Sequence, residues 1–281
     1  LSRRDKGIQT AMENSKVYMH YFNRLYMLAL SMFKWNNLPP TVNPIYLERK
    51  LLTKGKMLFF LDDLNELRAL DCTLTGPLDL NDEPIVRTAF APSGYYSTYN
   101  KENSVICYNN VMRTSSLMDV QMYAEKLWRI DTTSEINLNA QKMPIIVTGT
   151  ESQINTLKNV AMNYDNFCHY IFGDSEADLH KAISVLETKA PYLCDKFQEL
   201  KTQVWNEALT TFGISNINLS KKERLVSNEV DINMGGVIAQ QYLRLEPREL
   251  ACQQMSELLG VDITVEYRNE IFETSGGETN E

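Results

Sequence analysis

The chain has 281 residues, of which 43% are hydrophobic and 23% charged, enough apolar material for a packed core, and this excludes a disordered chain. Its 36 acidic residues outnumber 28 basic ones and leave a formal net charge of −8, which excludes a tight unspecific nucleic-acid coat, where a basic surface is needed. No apolar run reaches the roughly 18 residues that span a bilayer, and five scattered cysteines without a Cys-x-x-Cys pair cannot form a complete disulfide framework, so reduced, mostly buried thiols are expected.

Residues 8 to 34 read as one long helix, because Ala11, Tyr18, Phe22, Leu25, Ala29, Met32 and Phe33 recur at three- and four-residue spacing. Asn36-Asn37-Leu38-Pro39-Pro40 stops it, and Asn43-Pro44 offers a cap and first position for a short helix through Leu52. From Lys56 to Asn110, short apolar runs at Met57–Leu61, Leu67–Leu74, Ile85–Ala91 and Val105–Tyr108 alternate with Asp, Asn, Gly and Pro clusters, the pattern of a β-rich module. Thr114-Ser115-Ser116 opens a helix that carries Leu117, Val120, Ala124, Leu127 and Trp128 and extends to Gln141.

A strand at Pro144–Val147, a helix at Glu151–Tyr164 and a strand at His169–Phe172 then form an α/β alternation. Pro191 starts another long helix, with Leu193, Phe197, Leu200, Val204, Ala208, Leu209 and Phe212 on one stripe and Gly213 ending it. The stretch Val226–Tyr242 lacks regular patterning and contains Gly235-Gly236, which predicts a loop. Arg248–Leu259 reads as a helix ended by Gly260, and Val261–Tyr267 alternates as a strand.

Enzymatic motifs are not found. The Gly55-Lys56 pair is followed by Met57 and has no earlier glycine in place, so it is not a phosphate-wrapping ATPase loop. Cys168, His169, Asp178 and His180 do not have the spacing of a strong metal-ligand set, and no metal or cofactor is expected. Asp62-Asp63 lies in a turn-rich stretch, where adjacent carboxylates are ordinarily solvated rather than catalytic.

The segment Phe33-Lys34-Trp35-Asn36-Asn37-Leu38-Pro39-Pro40-Thr41-Val42-Asn43-Pro44 resembles a turn of the portal, or head-tail connector (upper collar), proteins of Picovirinae-type short-tailed double-stranded DNA phages. Similar segments follow collinearly at Asn139-Ala140-Gln141-Lys142 with Pro144, Ala190-Pro191-Tyr192, Val204-Trp205-Asn206-Glu207, Gly213-Ile214 and Lys221-Lys222-Glu223-Arg224. The resemblance implies an α+β portal fold, with long stem helices, an α/β wing containing a β-rich module and a small crown. It also implies assembly as a dodecameric ring at the capsid vertex of the virion, after synthesis in the bacterial host cytoplasm. On that plan residues 1–55 form an N-terminal arm, first stem helix and hinge, 56–112 the β-rich wing module, and 113–189 a helix and α/β wing. Residues 190–225 then form the long stem helix, 226–243 a channel loop, and 244–281 the crown-side helix, return strand and tail.

The implied role is structural: the ring conducts double-stranded DNA during packaging and ejection. Its implied partners are further copies of itself, major capsid and scaffolding proteins, the packaging ATPase with its packaging RNA, and a lower collar or tail protein, with no membrane. A lower-collar or tail-tube subunit is the alternative reading. Twelve copies at −8 each sum to about −96, a charge that repels the duplex from all sides and is screened beyond roughly 8 Å. Against it the resemblance makes Lys196, Lys201, Lys221 and Lys222 the channel-facing cations, and Asn233, Met234, Gly235, Gly236 and Val237 the channel loop. Met234, Val237 and Ile238 make that loop more apolar than the family pattern, so a packed or partner-bound loop is the other expectation. Arg3, Arg4 and Lys6 resemble the basic arm that contacts packaging RNA and motor.

Overall fold

A computed structural model describes residues 15–141, 145–149, 170–174, 183–185, 191–214 and 227–268. In chain order these form α1 (Lys16–Leu30), β1 (Phe33–Asn36), α2 (Pro44–Lys54), β2 (Lys56–Leu61) and β3 (Leu67–Leu74). Next come β4 (Arg87–Phe90), β5 (Tyr96–Tyr99), β6 (Ser104–Tyr108), α3 (Leu117–Gln141), β7 (Ile145–Gly149), β8 (Tyr170–Asp174) and β9 (Ile183–Val185). The chain continues with α4 (Cys194–Thr211), α5 (Ser227–Leu259) and β10 (Thr264–Tyr267). It divides into two compact units, Leu1–Lys126 with Val204–Glu281 and Leu127–Gln203, the division falling within α3 and α4.

The larger unit is built on a five-stranded antiparallel sheet in the order β5-β4-β3-β2-β6. One face gathers Leu58, Phe60, Cys72, Ala89 and Ile106 into a core, with Tyr99 stacked 4.3 Å from Phe60. The strands alternate, so Met57, Phe59, Val105 and Cys107 point to the other face and are also buried, as befits a sheet covered on both sides. β5 escapes the sequence reading because Tyr-Ser-Thr-Tyr is rich in hydroxyls, yet it pairs with β4 in register Arg87↔Tyr99 to Phe90↔Tyr96.

α2 begins and ends where its sequence dictates. The Asn43 side chain accepts from the Ile45 and Tyr46 amides, Pro44 sits in the first turn, and Gly55 closes the helix at φ 80°. A side chain at Gly55 would lie 2.8 Å from the Thr114 carbonyl carbon, so both the left-handed backbone and the close approach require glycine. The Leu52 carbonyl then accepts from the Ser116 amide and the Ser115 hydroxyl, which ties the helix end to the start of α3.

α1 stops earlier than the periodicity predicts. Residues 8 to 14 of the expected helix lie outside the described residues, and at the other end the Ser31 amide closes the helix on Met27 and Leu28. Phe33–Asn36 is drawn instead into antiparallel pairing with β10, from Phe33↔Tyr267 to Asn36↔Thr264. Tertiary pairing overrides the helical periodicity at Met32 and Phe33, whose side chains remain buried.

The last long helix departs further from expectation. Residues 227–259 are one continuous helix, so the loop expected over 226–243 is helical from Ser227 onward. Gly235 and Gly236 each cost roughly 1 kcal/mol in a helix. Val237, directly after them, and Arg244, about two turns further on, are buried and anchor the segment, and the Gln241 side chain donates to the Gly213 carbonyl at 2.7 Å. Pro247 does not end the helix either. It has no amide for the Leu243 carbonyl four residues back, and the Val111 amide fills that vacancy at 3.1 Å.

The smaller unit holds a three-stranded sheet, β8-β7-β9, with β7 and β8 parallel and β9 antiparallel to β7. The expected strands at 144–147 and 169–172 overlap β7 and β8, β9 is an addition, and the helix expected at Glu151–Tyr164 lies outside the described residues. In the same unit Asn137 of α3 donates to the Pro191 carbonyl and accepts from the Leu193 amide, fixing the entry to α4. Four cysteines fall among the described residues: Cys72, Cys107 and Cys252 are buried, Cys194 is half-buried, and all are free thiols. Burial pushes the Cys72 thiol up to about 11.

Between β3 and β4 a small hairpin, closed by the Leu78–Pro84 bridge, is organised by Asp79. Its carboxylate accepts from Lys101 at 2.7 Å and from the Asn81 and Glu83 amides, and these contacts hold its pKa at about 2 against an ordinary 3.8. A depressed acid contributes stability that is complete above its unfolded value and is lost as the pH falls through the folded one. Protection of the Asn81 and Glu83 amides from hydrogen exchange is therefore expected to fall between pH 3.8 and about 2, and Asp79→Asn should remove that pH dependence.

Candidate assembly and channel surfaces

Arg248 lies at the centre of the larger unit with 1% of its surface exposed. Its Nε and Nη2 donate to the two Glu48 carboxylate oxygens at 3.1 and 2.9 Å, Nη1 donates to the Asn109 and Arg244 carbonyls at 2.7 Å each, and Nη2 also reaches Asn109 Oδ1 at 3.2 Å. All five guanidinium protons are thus used. The guanidinium also stacks 3.9 Å over the Phe33 ring, and the Trp35 indole donates to Glu48 Oε1 at 2.8 Å. Burial opposes the Arg248 cation, but the Glu48 charge and hydrogen bonds outweigh it and raise its pKa. A buried pair of this completeness fixes α2, β1, β6 and α5 to one another.

Arg244, one turn earlier, is the second buried cation. Nη1 donates to the Ser116 hydroxyl at 2.9 Å and Nη2 to the Thr211 carbonyl at 3.2 Å, with Asp119 at 3.9 Å. Asp119 is partly buried, and this desolvation raises its pKa against the opposing charge of Arg244. The end of α4 is held from two sides, since the Tyr267 hydroxyl donates to the Phe212 carbonyl at 2.5 Å and Gly213 turns away at φ 71°. A side chain on Gly213 would lie 2.8 Å from that hydroxyl. The two arginines were legible only as an i, i+4 pair lying on the same stripe as Val237, Ala251 and Met255, a polar interruption that signals a buried ion pair.

The predicted channel cations do not converge among the described residues. Lys196 is exposed on α4, whereas Lys201 is drawn against α3 by a 2.7 Å ion pair with Asp131. Lys221, Lys222, Arg3, Arg4 and Lys6 lie outside the described residues, as do His169, His180, Cys168 and Asp178. Asn233, Met234, Gly235, Gly236 and Val237 lie within α5 rather than a loop, with the two glycines exposed and Val237 buried. Trp205 is half-buried under the Arg24 guanidinium, 4.2 Å from its ring centre.

The Asp62 carboxylate is occupied structurally. It accepts from the Leu64 and Glu66 amides and pairs with Arg68 at 2.8 Å, which lowers its pKa. A groove of about 450 Å³ runs between β6 and the C-terminal half of α5, floored by Ile106, Tyr108, Pro247 and Leu250. Its cations are engaged structurally: Arg113 pairs with Glu83, Lys101 with Asp79, and the buried Arg87 donates to the Ser104 and Pro84 carbonyls. Apolar side chains stand exposed beside it, including Met112 at 78% and Leu250 at 53%, and Met118 and Met122 stand exposed on α3. Such unpartnered apolar surface fits an assembling subunit better than a substrate pocket. No helix among the described residues is long and apolar enough to cross a membrane.

Replacing Arg248 with Met is expected to cost about 3 to 5 kcal/mol in chemical denaturation, because it leaves the Glu48 carboxylate buried without its partner. Combining it with Glu48→Leu should recover most of that loss, since the desolvated charge is then gone as well.

The family model described as Phage Connector (GP10) matches residues 3–272. A solved structure of the portal and tail of native bacteriophage P68 is similar in fold, with a TM-score of 0.53 and 15% identity, over 96% of this chain and 92% of that one. The virion of a native gene transfer agent is similar over 93% of this chain and 82% of its own, at 11% identity and a TM-score of 0.49. An HK97 family phage portal protein from Corynebacterium diphtheriae is similar over 94% and 96%, at 10% identity and a TM-score of 0.42.

Proposed function

From the premise that the chain belongs to the phage connector family and is a portal protein of the capsid vertex, we propose that it closes into a ring of about twelve copies that conducts double-stranded DNA. The family is a structural one and the protein is a component of the phage virion. The observation that carries the ring reading is the exposed apolar surface of α3 and α5, which a lone subunit leaves in water. The structural role is supported by the groove, where Arg113 pairs with Glu83, Lys101 with Asp79, and Arg87 bonds backbone carbonyls.

Conducting DNA imposes a constraint that the charge balance satisfies. Every phosphate contact releases counterions and deepens a binding well, so a uniformly basic wall would hold the duplex instead of passing it. An acidic ring with a few cations avoids such wells. In this reading Lys196, Lys221 and Lys222 supply the cations, while Lys201 acts within its own subunit through Asp131. Segment 233–237 acts in the channel as part of a helix, and Arg3, Arg4 and Lys6 meet the packaging RNA and ATPase. Capsid, scaffolding and lower-collar or tail proteins are the remaining partners, and assembly takes place in the host cytoplasm.

Native mass spectrometry with negative-stain imaging is expected to give a closed ring near twelve copies with a central hole, and a stable monomer at every concentration would refute the reading. Within assembled particles, Lys221→Ala combined with Lys222→Ala should leave the ring intact and change DNA retention or the end of packaging. Unchanged retention and packaging would remove both lysines from the channel.

A further inference from the structure

α5 has an uneven distribution of charge. Between Ile238 and Leu259 its two cations, Arg244 and Arg248, are both buried, so Glu246, Glu249 and Glu257 are the charged side chains that remain on its exposed surface. Glu246 accepts from the Tyr242 hydroxyl and Glu257 from the Gln253 amide, but none of the three has an ion pair among the described residues. Between and beside them Ile238, Tyr242, Leu243, Leu250 and Leu258 stand exposed. Met112 extends this strip, because the neighbouring Val111 amide is bonded to the Leu243 carbonyl. The outer surface of α5 is therefore apolar and purely acidic.

α1 carries the opposite pattern. The whole helix, Lys16–Leu30, contains no acidic residue, in a chain with 36 acidic residues against 28 basic ones. One side is buried through Tyr18, Tyr21, Leu25 and Ala29. The other side exposes Lys16, Val17, Met19, His20, Arg24 and Met27, the last at 62%. Lys16 and Arg24 have no ion pair among the described residues, although Arg24 lies over Trp205. Both faces are uncovered in the same subunit, so they do not satisfy each other within it.

A closed ring needs two different, mutually complementary patches on every copy, because each subunit meets one neighbour with one face and the next neighbour with another. We propose that the exposed basic face of α1 in one copy docks on the acidic, apolar outer face of α5 in the adjacent copy. Met19 and Met27 cover the strip around Leu243 and Leu250, with Lys16 and Arg24 set against Glu246, Glu249 and Glu257. This contact rests on the ring reading above and assigns its two sides. The inward turn of Arg244 and Arg248 has a second effect in this arrangement, since it leaves the acids of α5 unneutralised for a neighbour.

The test is a charge exchange followed by analytical ultracentrifugation. K16E with R24E reverses α1, E246K with E249K reverses α5, and a fourth protein carries all four changes. Each reversed face alone is expected to raise the concentration of half-assembly at least about tenfold, and the four changes together should return it to within about threefold of the unaltered protein. Thermal midpoints check that each subunit remains folded, and K16E alone replaces the α1 pair if loss of the Arg24 stacking lowers the midpoint. Assembly unchanged by either reversal, or no recovery in the fourfold variant, overturns the docking while leaving the ring reading in place. An unaltered protein that stays monomeric overturns both.

Discussion

The buried bidentate pair between Arg248 and Glu48 is the constraint on which the larger unit depends. Two charges removed from water repay their desolvation only when geometry and additional hydrogen bonds are nearly complete, and here no guanidinium proton is left over. The pair draws in elements from opposite ends of the chain: Glu48 from a helix begun by an Asn-Pro cap, Arg248 from a helix 200 residues later, and Phe33 and Trp35 from a strand that local periodicity would have made helical. What the pair contributes is position as much as stability, because an apolar replacement would fill the same space without fixing one orientation of α5.

α5 shows how a helix is kept going through residues that ordinarily end one. Pro247 leaves the Leu243 carbonyl without its amide, and the loop before α3 supplies one through Val111. On either side of the proline, Arg244 and Arg248 reach outward from the helix axis to Thr211, Asn109 and Glu48. The break in the helical ladder is thereby converted into a point of attachment for the rest of the unit. A proline at this position is not a defect that the helix tolerates, since the neighbouring segment uses the acceptor it frees.

The sequence is legible where signals are local. Asn43-Pro44 and Gly55 bracket α2, alternating apolar runs mark β2, β3 and β6, and the Thr-Ser-Ser start of α3 is read to its last residue at Gln141. It is misleading where partners lie far away. Phe33 and Trp35 become strand through Tyr267 and Val265, and the segment around Gly235-Gly236 becomes helix because Val237 and Gln241 find burial and a carbonyl on distant parts of the unit. Among the candidate site residues, Lys201 is the clearest case: helix spacing shows Glu199 and Glu207 nearby, but its counter-charge is Asp131, 70 positions away on another helix. The family resemblance was legible in part because motifs such as Phe33–Pro44 and Gly213-Ile214 include turns and caps, where few residue types will serve.

The pairing of β1 with β10 joins positions 33–36 to 264–267, so every residue between them must be made before this two-stranded sheet can close. Contacts of such sequence separation carry the full entropy of loop closure and form late in folding. During synthesis from the N-terminus, Phe33 and Trp35 wait for strand partners made about 230 residues later, and Glu48 waits for Arg248. A chain cut short by failed translation therefore lacks the pairing that sets the end of α1 and the orientation of α5. In the ring proposed above, this late closure acts as a form of proofreading, because a chain that lacks Arg248 or β10 cannot set the orientation of α5 that a neighbouring copy needs.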